Sequence, residues 1–361
     1  MSAAGAISFV YAAPAIAAPA ENLTVFNLPK PSEIPSASTI SYSLPARPLS
    51  DPALTSRRDD DAAHFGIPAF QSAPSASQDV KPVLSPLAYG PQDSIGDVGD
   101  RPDPQRFRSF GSQVGAIKWE VAALFGYYTL ANSQKIFEDP TWPHFQKEGW
   151  FGKDTRNLGV DKLAHTYSAY IISEIAYTRL KRKTGDAPGI ALTAAAIGSG
   201  IMLYTEIWDS IEPTGGWSWE DVAFNSAGAG LSILRNTIPG LDQKLDYRMM
   251  IMPNSNIYSR QGKRHFEQQR FFFALKLSGF KAFENSPARF LELHAGYYAK
   301  DFTHEDRAAG IEPKRRIFLG VGLNLRELFF KNSRSRVGRA AGEALDYFQL
   351  PYTAIHRHIT N

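Results

Sequence analysis

Three short polar motifs, each in or beside an apolar stretch with helical character, constrain the fold of this chain most strongly. The motifs are Asp161-Lys162-x-x-His165, Glu206-x-x-Asp209 and Asp221-x-x-x-Asn225. Spacings of three and four residues place the polar side chains of each motif on one face of a helix. Because an ionisable group is costly to bury unless it is paired, hydrogen-bonded or bound to a cation, we expect the three motifs to meet in one polar cluster.

The charge of the chain excludes one class of function. The 361 residues include 39 Lys and Arg and 36 Asp and Glu, which gives a formal net charge of +3. Two short basic runs, 179–183 and 314–316, do not form a basic stripe interleaved with aromatic residues, as nucleic-acid binding would require. We therefore expect no nucleic-acid partner.

The first part of the chain is typical of an exported protein with a long leader. Residues 1–20 contain the small-x-small patterns Ala15-Ile16-Ala17 and Ala18-Pro19-Ala20 and no early Lys or Arg. They predict an export signal, with a disordered Ala-rich tail as the alternative. Residues 21–113 are rich in Pro, Ser and Ala without a sustained period, and we expect a disordered leader there.

Residues 114–241 predict a bundle of about four helices. Candidate helices cover Ile117–Tyr128, Asp161–Leu180, Ile190–Asp209 and Trp219–Leu234, separated by turns rich in Gly and Pro. The first sixteen residues of the third helix carry no charge, so this helix alone has about the length and polarity of a membrane span. We expect the bundle to be membrane-associated or partly embedded.

The pattern changes to a period of two beyond residue 241. Alternation is clearest in residues 316–328, where Ile317, Leu319, Val321, Leu323 and Leu325 alternate with Phe318, Gly320, Gly322, Asn324 and Arg326. Residues 270–280 and 290–302 show the same period, so 242–332 predict antiparallel strands. A sheet packed on the helices is the preferred interpretation and a partial barrel the alternative. Residues 333–361 predict a helix and a tail, which completes an α+β fold.

Each acidic residue of the motifs also has a purely structural interpretation. Asp161 fits the N-cap of its helix, and Ser218 with Asp221 fits a capping box. Glu206 and Asp209 fit no cap, because they lie near a helix C-terminus, where the helix dipole disfavours negative charge. Something cationic should compensate them.

The compensating cation has two possible sources. Lys162 and protonated His165 are the candidates within the chain. A divalent metal is the external candidate, since carboxylates with one imidazole suit a hard or borderline ion. The metal ligands would be His165, Glu206, Asp209 and Asp221. The chain contains no cysteine, which excludes disulfides and thiolate ligands from it.

The ordered set of motifs, followed by Ser218-Trp219-Glu220-Asp221 with Asn225 and Gly228, resembles the DUF2279 or YfiM-like family of predicted bacterial envelope lipoproteins. It is more remotely similar to VanZ-type membrane proteins. The resemblance covers about residues 119–234. It implies a cell-envelope protein, periplasmic or membrane-associated, and implies no particular reaction. The family's characteristic polar positions would be Asp161, His165, Glu206, Asp209, Asp221 and Asn225. The lack of cysteine departs from a lipoprotein pattern.

Two hypotheses about function remain open on the sequence. In the first, the protein has a structural or binding role in the envelope, with a membrane or envelope component as its partner. In the second, it is a metal-assisted hydrolase of an envelope lipid or phosphate ester. Glu206, Asp209 and Asp221 would then act as ligands or bases and His165 as a ligand or proton shuttle.

Overall fold

The structure, a computed structural model, describes residues 102–137, 139–253 and 265–360. The predicted export signal and most of the predicted leader lie outside these residues. The described part belongs to one compact unit. The leader ends earlier than residue 113, because Pro104–Phe107 forms a 3-10 helix and Phe110–Ala116 a first α-helix, α1. Gln113 of α1 is buried and donates from its amide to two backbone carbonyls, those of Phe107 and Pro188.

The predicted helical bundle is confirmed. It contains α2 (Lys118–Asn132), α3 (Val160–Thr184), α4 (Ile190–Asp209) and α5 (Trp219–Thr237). The helix α3 ends at Gly185, which adopts a left-handed conformation (φ 66°) and donates its N–H to the carbonyl of Lys181. The side chain of Ser218 caps α5 by accepting the N–H of Asp221. Residues from α3 and α4 supply most of the first apolar core, which includes Ile172, Leu180, Ile197 and Ile201.

Two glycines allow the central helices to approach each other closely. A Cβ on Gly228 of α5 would lie 2.0 Å from the carbonyl oxygen of Thr166 on α3. A Cβ on Gly198 of α4 would lie 2.8 Å from the carbonyl oxygen of Ala169, also on α3. Since real atoms cannot approach so closely, these helix crossings require residues without side chains.

One helix of the described chain, α4, is long and apolar enough to cross a membrane by length and composition. Of its most apolar window, 61% is buried within the protein. The core helix of a soluble protein passes the same test, so this property alone does not assign a membrane span.

The strands form one six-stranded sheet in the order β5-β1-β2-β3-β4-β6. The strands are β1 (Leu245–Ile251), β2 (Gln269–Lys276), β3 (Leu291–Lys300), β4 (Lys314–Leu323), β5 (Phe348–Gln349) and β6 (Ala354–His358). All pairings are antiparallel except that of β1 with β5, which is parallel. The sheet is therefore mixed and not wholly antiparallel as expected, because β5 reaches β1 only after the chain has passed through a further helix.

That further helix, α8 (Arg336–Ala344), lies where the sequence predicts a C-terminal helix. Two shorter helices lie among the strands. The helix α6 (His265–Gln268) directly precedes β2, and α7 (His304–Ala308) follows β3.

The predicted tail also contains the strands β5 and β6, and β1 precedes the strands that alternation identified. Alternation did not identify these three strands. β5 has only two residues, β6 has three His or Arg among five, and β1 ends in the non-alternating run Met249-Met250-Ile251.

The sheet is strongly curved. The rings of Phe272 on β2 and His356 on β6 have centroids 5.8 Å apart, although β3 and β4 lie between these strands. In a flat sheet, three strand spacings of about 4.8 Å would separate them by roughly 14 Å. The concave side of the sheet is therefore filled by its own side chains.

The convex side carries the apolar residues of the alternation. Where α3 covers it, Tyr247, Met249 and Phe271 pack against Tyr167 and Tyr170 of that helix. The concave side carries the buried charges Asp246, Arg248 and Glu292. The sheet does pack on the helices as predicted, but over only part of its apolar face.

Candidate functional site

The structure brings most of the predicted polar residues together where three helix ends meet. Asp161, Lys162 and His165 come from the first turns of α3, Glu206 from the last turn of α4, and Asp221 and Asn225 from the first turns of α5. Glu148, from the loop before α3, joins them. We call these seven residues the polar cluster.

Lys162 is the cation at the centre of the polar cluster. Its side-chain nitrogen Nζ lies 2.8 Å from Asp221 Oδ1 and 3.2 Å from Asp161 Oδ2, and it also donates to Glu148. Only 1% of the side chain is exposed. Burial acts to lower the pKa of Lys162, but the negative charges around it outweigh burial and hold its pKa above the ordinary value. Lys162 is therefore a permanently charged, internal counter-ion.

The imidazole of His165 lies between Asp221 on one side and Glu206 and Asn225 on the other. Its Nδ1 lies 3.2 Å from Asn225 Oδ1 and 3.3 Å from Glu206 Oε1, and its Nε2 lies 3.6 Å from Asp221 Oδ1. Burial opposes the charged form, but neighbouring negative charge, that of Asp221 above all, raises the pKa of His165 above its usual value. Acceptors near both ring nitrogens suit an imidazolium, which donates from each.

Glu206 is the most strongly perturbed carboxyl group of the cluster. It is completely buried, and its Oε1 accepts a hydrogen bond of 3.4 Å from Asn225 Nδ2. Its other oxygen, Oε2, has no hydrogen-bond partner among the described residues. Burial raises the pKa of Glu206 to about 8, against the lowering effect of the neighbouring His165. At neutral pH the group is therefore largely protonated.

The two acids at helix starts only partly follow the capping interpretation. The N-cap of α3 is Gly159, so Asp161 lies inside the first turn and does not cap the helix. Ser218 does cap α5 through the N–H of Asp221. The Asp221 carboxylate, however, points to Lys162 and so does not close a capping box. Burial acts to raise the pKa of Asp161, but the charges of Lys162 and His165 outweigh it and lower the pKa.

Asp209 does not take part in the polar cluster. Its carboxylate pairs with Lys135, which also lies 3.2 Å from Glu212, and 28% of its side chain is exposed. The reason is that the last turn of α4 turns Asp209 away from α3 towards the chain that follows α2. The expected four-residue ligand set is therefore incomplete in space.

Sequence reasoning missed Glu148 and Lys135. Glu148 lies in a loop without periodicity, and Lys135 in a 3-10 helix far from the motifs along the chain. The motif spacing therefore carried no signal for either residue.

Two groups of residues have ligand atoms close enough for a metal ion. In each of the groups His165–Glu206–Asp221 and Glu148–Asp161–Asp221, all potential ligand atoms lie within 4.8 Å of one another. The ammonium of Lys162 already lies against all three members of the second group. In the first group, the buried oxygen Glu206 Oε2 has no hydrogen-bond partner in the described chain. Asp221 Oδ1, which belongs to both groups, lies 2.8 Å from Lys162 Nζ.

A recess of about 200 Å³ reaches one edge of the polar cluster. It is lined by residues 146–150, 154–157 and 161, including Glu148, Trp150, Arg156 and Asp161. His165, Glu206 and Asp221 are not among its lining residues. The recess thus opens towards the Lys162 end of the cluster and not towards the imidazole.

A second buried charge network connects the bundle to the sheet. Arg235 of α5 donates to Glu174 of α3 at 2.6 Å and to Asp246 of β1 at 3.0 Å. Asp246 in turn accepts from Arg248 and Lys276. Burial opposes ionisation of Asp246, but these cations lower its pKa far below the usual range. Sequence patterns gave no sign of this network beyond Glu174 interrupting an apolar helix.

Comparison with known proteins adds one finding to this geometry. Residues 147–237, which we call the DUF2279 segment, match the DUF2279 family. The family is described as a predicted periplasmic lipoprotein. The DUF2279 segment includes α3, α4 and α5 and every residue of the polar cluster, and it ends before β1. No curated protein and no solved structure matches the chain.

This match confirms the resemblance to DUF2279, over residues 147–237, and supports the expected location in the cell envelope. The polar cluster is therefore a property of the DUF2279 segment itself. The sheet, with its buried charge network, lies outside that segment.

Proposed function

We propose that this chain has a structural or binding role in the cell envelope, in or at a membrane, and that the polar cluster holds the DUF2279 segment together. The observation that carries this proposal is the position of Lys162, whose ammonium is enclosed by the carboxylates of Glu148, Asp161 and Asp221. A cation supplied by the chain itself therefore occupies one of the two groups of potential metal ligands, Glu148–Asp161–Asp221.

The position of the recess supports the same proposal. A hydrolase must bring its substrate to a ligand or base, whereas the recess beside the cluster is not lined by His165, Glu206 or Asp221. Buried ionic groups that join separate helices are strongly destabilising when one partner is removed, because the other charge is then left uncompensated. The cluster is thus suited to fixing the geometry of α3, α4 and α5.

An apolar stripe on α4 supports a location in or at a membrane. Leu192, Leu203 and Ile207 share one face of this helix, and each is at least 40% exposed. Exposed apolar surface of this kind on an envelope protein favours contact with lipid or with a partner.

A metal-assisted hydrolase of an envelope lipid or phosphate ester is the second candidate. It is favoured by one observation, the buried Glu206 Oε2 without a hydrogen-bond partner beside His165 and Asp221. Glu206 and Asp221 would be ligands or bases, and His165 a ligand or proton shuttle. Asp209 has no part in this version, because it pairs with Lys135.

Elemental analysis separates the two candidates. Purified wild-type protein is incubated with zinc, manganese or magnesium, desalted and analysed beside Glu206→Ala, His165→Ala and the matched control Asp209→Ala. We expect no stoichiometric metal in any of the four proteins, together with lower melting temperatures for Glu206→Ala and His165→Ala only. Stoichiometric metal in the wild type and in Asp209→Ala, lost from the other two variants, would instead overturn the metal-free cluster and support the hydrolase.

A further inference from the structure

The convex face of the sheet remains apolar beyond the area that the helices cover. Its exposed part consists of large hydrophobic residues on β2, β3, β4 and β6, which we call the outer patch: Phe273, Leu293, Ile317, Leu319, Val321, Leu323 and Ile355. Each of these residues is at least 40% exposed, and Ile355 is 83% exposed. A monomeric soluble protein rarely exposes a contiguous apolar area of more than a few hundred Å².

The pairing of the strands makes the outer patch continuous. Val321 of β4 pairs with Leu293 on one side and with Ile355 on the other. Phe273 of β2 pairs with Ala295, and Ala295 pairs with Leu319. Directly paired residues on one face of a sheet are in contact, so the apolar side chains form one surface across four strands.

The charges on this face have a single sign. The outward positions of β1–β4 and β6 hold two charged residues, Arg315 and Arg357, and no acidic residue. Arg357 is exposed and has no ion-pair partner among the described residues. The acidic residues of these strands, Asp246 and Glu292, lie on the concave side and are completely buried.

We propose that the outer patch docks on the surface of an anionic lipid bilayer. This inference rests on the proposed role in or at a membrane and assigns that contact to the sheet. The apolar side chains would enter the interfacial region, while the arginines bind anionic headgroups and lay their aliphatic stems along the apolar surface. The two faces of the sheet therefore differ: the exterior is apolar and carries arginines, whereas on the interior Asp246 and Glu292 are paired with Arg248 and Lys276.

A second copy of this chain is a poorer occupant of the outer patch than a bilayer. In a two-fold symmetric contact the same patch is contributed by both subunits. Arg315 and Arg357 would then face a surface without a carboxylate, and burying an unpaired cation in such a contact is costly. An anionic bilayer supplies the missing negative charge.

Vesicle flotation of the full chain tests this inference. The protein is mixed with vesicles of phosphatidylcholine alone or of phosphatidylcholine and phosphatidylglycerol in equal parts. The test variants are the triple substitution Leu319→Thr, Val321→Thr, Ile355→Thr and the single substitution Arg357→Gln. The matched charge control is Lys281→Gln, at an exposed residue outside the strands, and Leu192→Gln tests the stripe on α4. Melting temperatures confirm that each variant is folded.

We expect the wild type and Lys281→Gln to float with the anionic vesicles, and the triple variant to bind at least tenfold more weakly. Arg357→Gln should bind roughly fivefold more weakly to anionic vesicles and change little with neutral ones, as one basic residue near a charged membrane contributes. Equal binding by the wild type and the triple variant would overturn the inference.

If Leu192→Gln alone lost binding, the membrane contact would belong to α4, and the proposed function would survive without a membrane contact of the sheet. If the wild type bound no vesicle and dimerised through the patch, the inference would fail too.

Discussion

The ammonium nitrogen of Lys162 lies 2.8 Å from Oδ1 of Asp221, which joins the first turn of α3 to the first turn of α5. The same carboxylate oxygen lies 3.6 Å from Nε2 of His165. Lys162 and His165 of α3 therefore share one acid of α5, and this arrangement distinguishes an internal polar network from an open catalytic site.

Replacement of Lys162 by methionine should strongly destabilise the protein. The substitution keeps the apolar stem and removes the charge that compensates three acids, and breaking a buried ion pair by removing one partner typically costs about 3–5 kcal/mol. Urea denaturation measures the loss. The control Lys281→Met removes an exposed lysine and should change the free energy of unfolding by less than about 0.5 kcal/mol. A small effect of Lys162→Met would show that the acids are not held ionised by this residue.

The two aspartates of the motifs should differ in their importance for stability. Asp221→Asn withdraws a carboxylate from both Lys162 and His165, and we expect a loss of about 3 kcal/mol or more. Asp209→Asn removes only a partly exposed partner of Lys135, for which a loss of less than about 1 kcal/mol is expected. Denaturation curves of the two variants under identical conditions make the comparison. Equal losses would place Asp209 in the cluster after all.

The stability of the protein should fall as the pH rises from about 4.5 to about 8. The Glu206 carboxyl keeps its proton in the folded state up to its pKa of about 8, whereas the unfolded chain releases it near 4.5. The folded state therefore binds more protons within this window, and its free energy of unfolding declines with increasing pH. At about 1.4 kcal/mol per unit, Glu206 alone would contribute a decline on the order of 5 kcal/mol.

Glu206→Gln tests this pH dependence, because glutamine has nearly the same shape and no proton to release. Urea denaturation across the window should show a shallower decline for the variant than for the wild type. An identical decline in both proteins would assign the dependence to other groups, of which His165 is the nearest.

The close helix crossing can be tested with two glycines of the same helix. Gly228→Ala would drive a Cβ into the carbonyl oxygen of Thr166 and should cost about 1–3 kcal/mol or more. Gly230→Ala meets no atom within 4 Å and should stabilise the protein by about 0.5–1 kcal/mol, since alanine is the better helix former. Thermal melting of both variants is the measurement. A stabilising Gly228→Ala would mean that α3 and α5 can separate at this point.

Helical and strand periods were sufficient to predict the main elements of the described chain. The charge-free stretch from Ile190 gives α4 at its observed bounds, and the alternation from Ile317 gives β4. The strand ends at Leu323 and not at residue 328 as predicted, because Arg326–Phe330 forms a π-helix. Both predictions depend on local geometry, since residues three to four apart share a helix face and residues two apart share a strand face. Where the local pattern is weak, as in the two-residue strand β5, the prediction failed.

The sequence by itself determined that acidic residues lie on apolar helices and that each strand has an apolar and a polar face. Only the tertiary structure decided which of them meet. Glu206 and Asp209 are three residues apart, yet only Glu206 faces α3, and Glu148 enters the cluster from a loop without any period. Likewise, alternation cannot tell which face of β4 becomes the interior. That choice depends on the curvature of the whole sheet and on the place where α3 covers it, which are long-range properties absent from any local pattern.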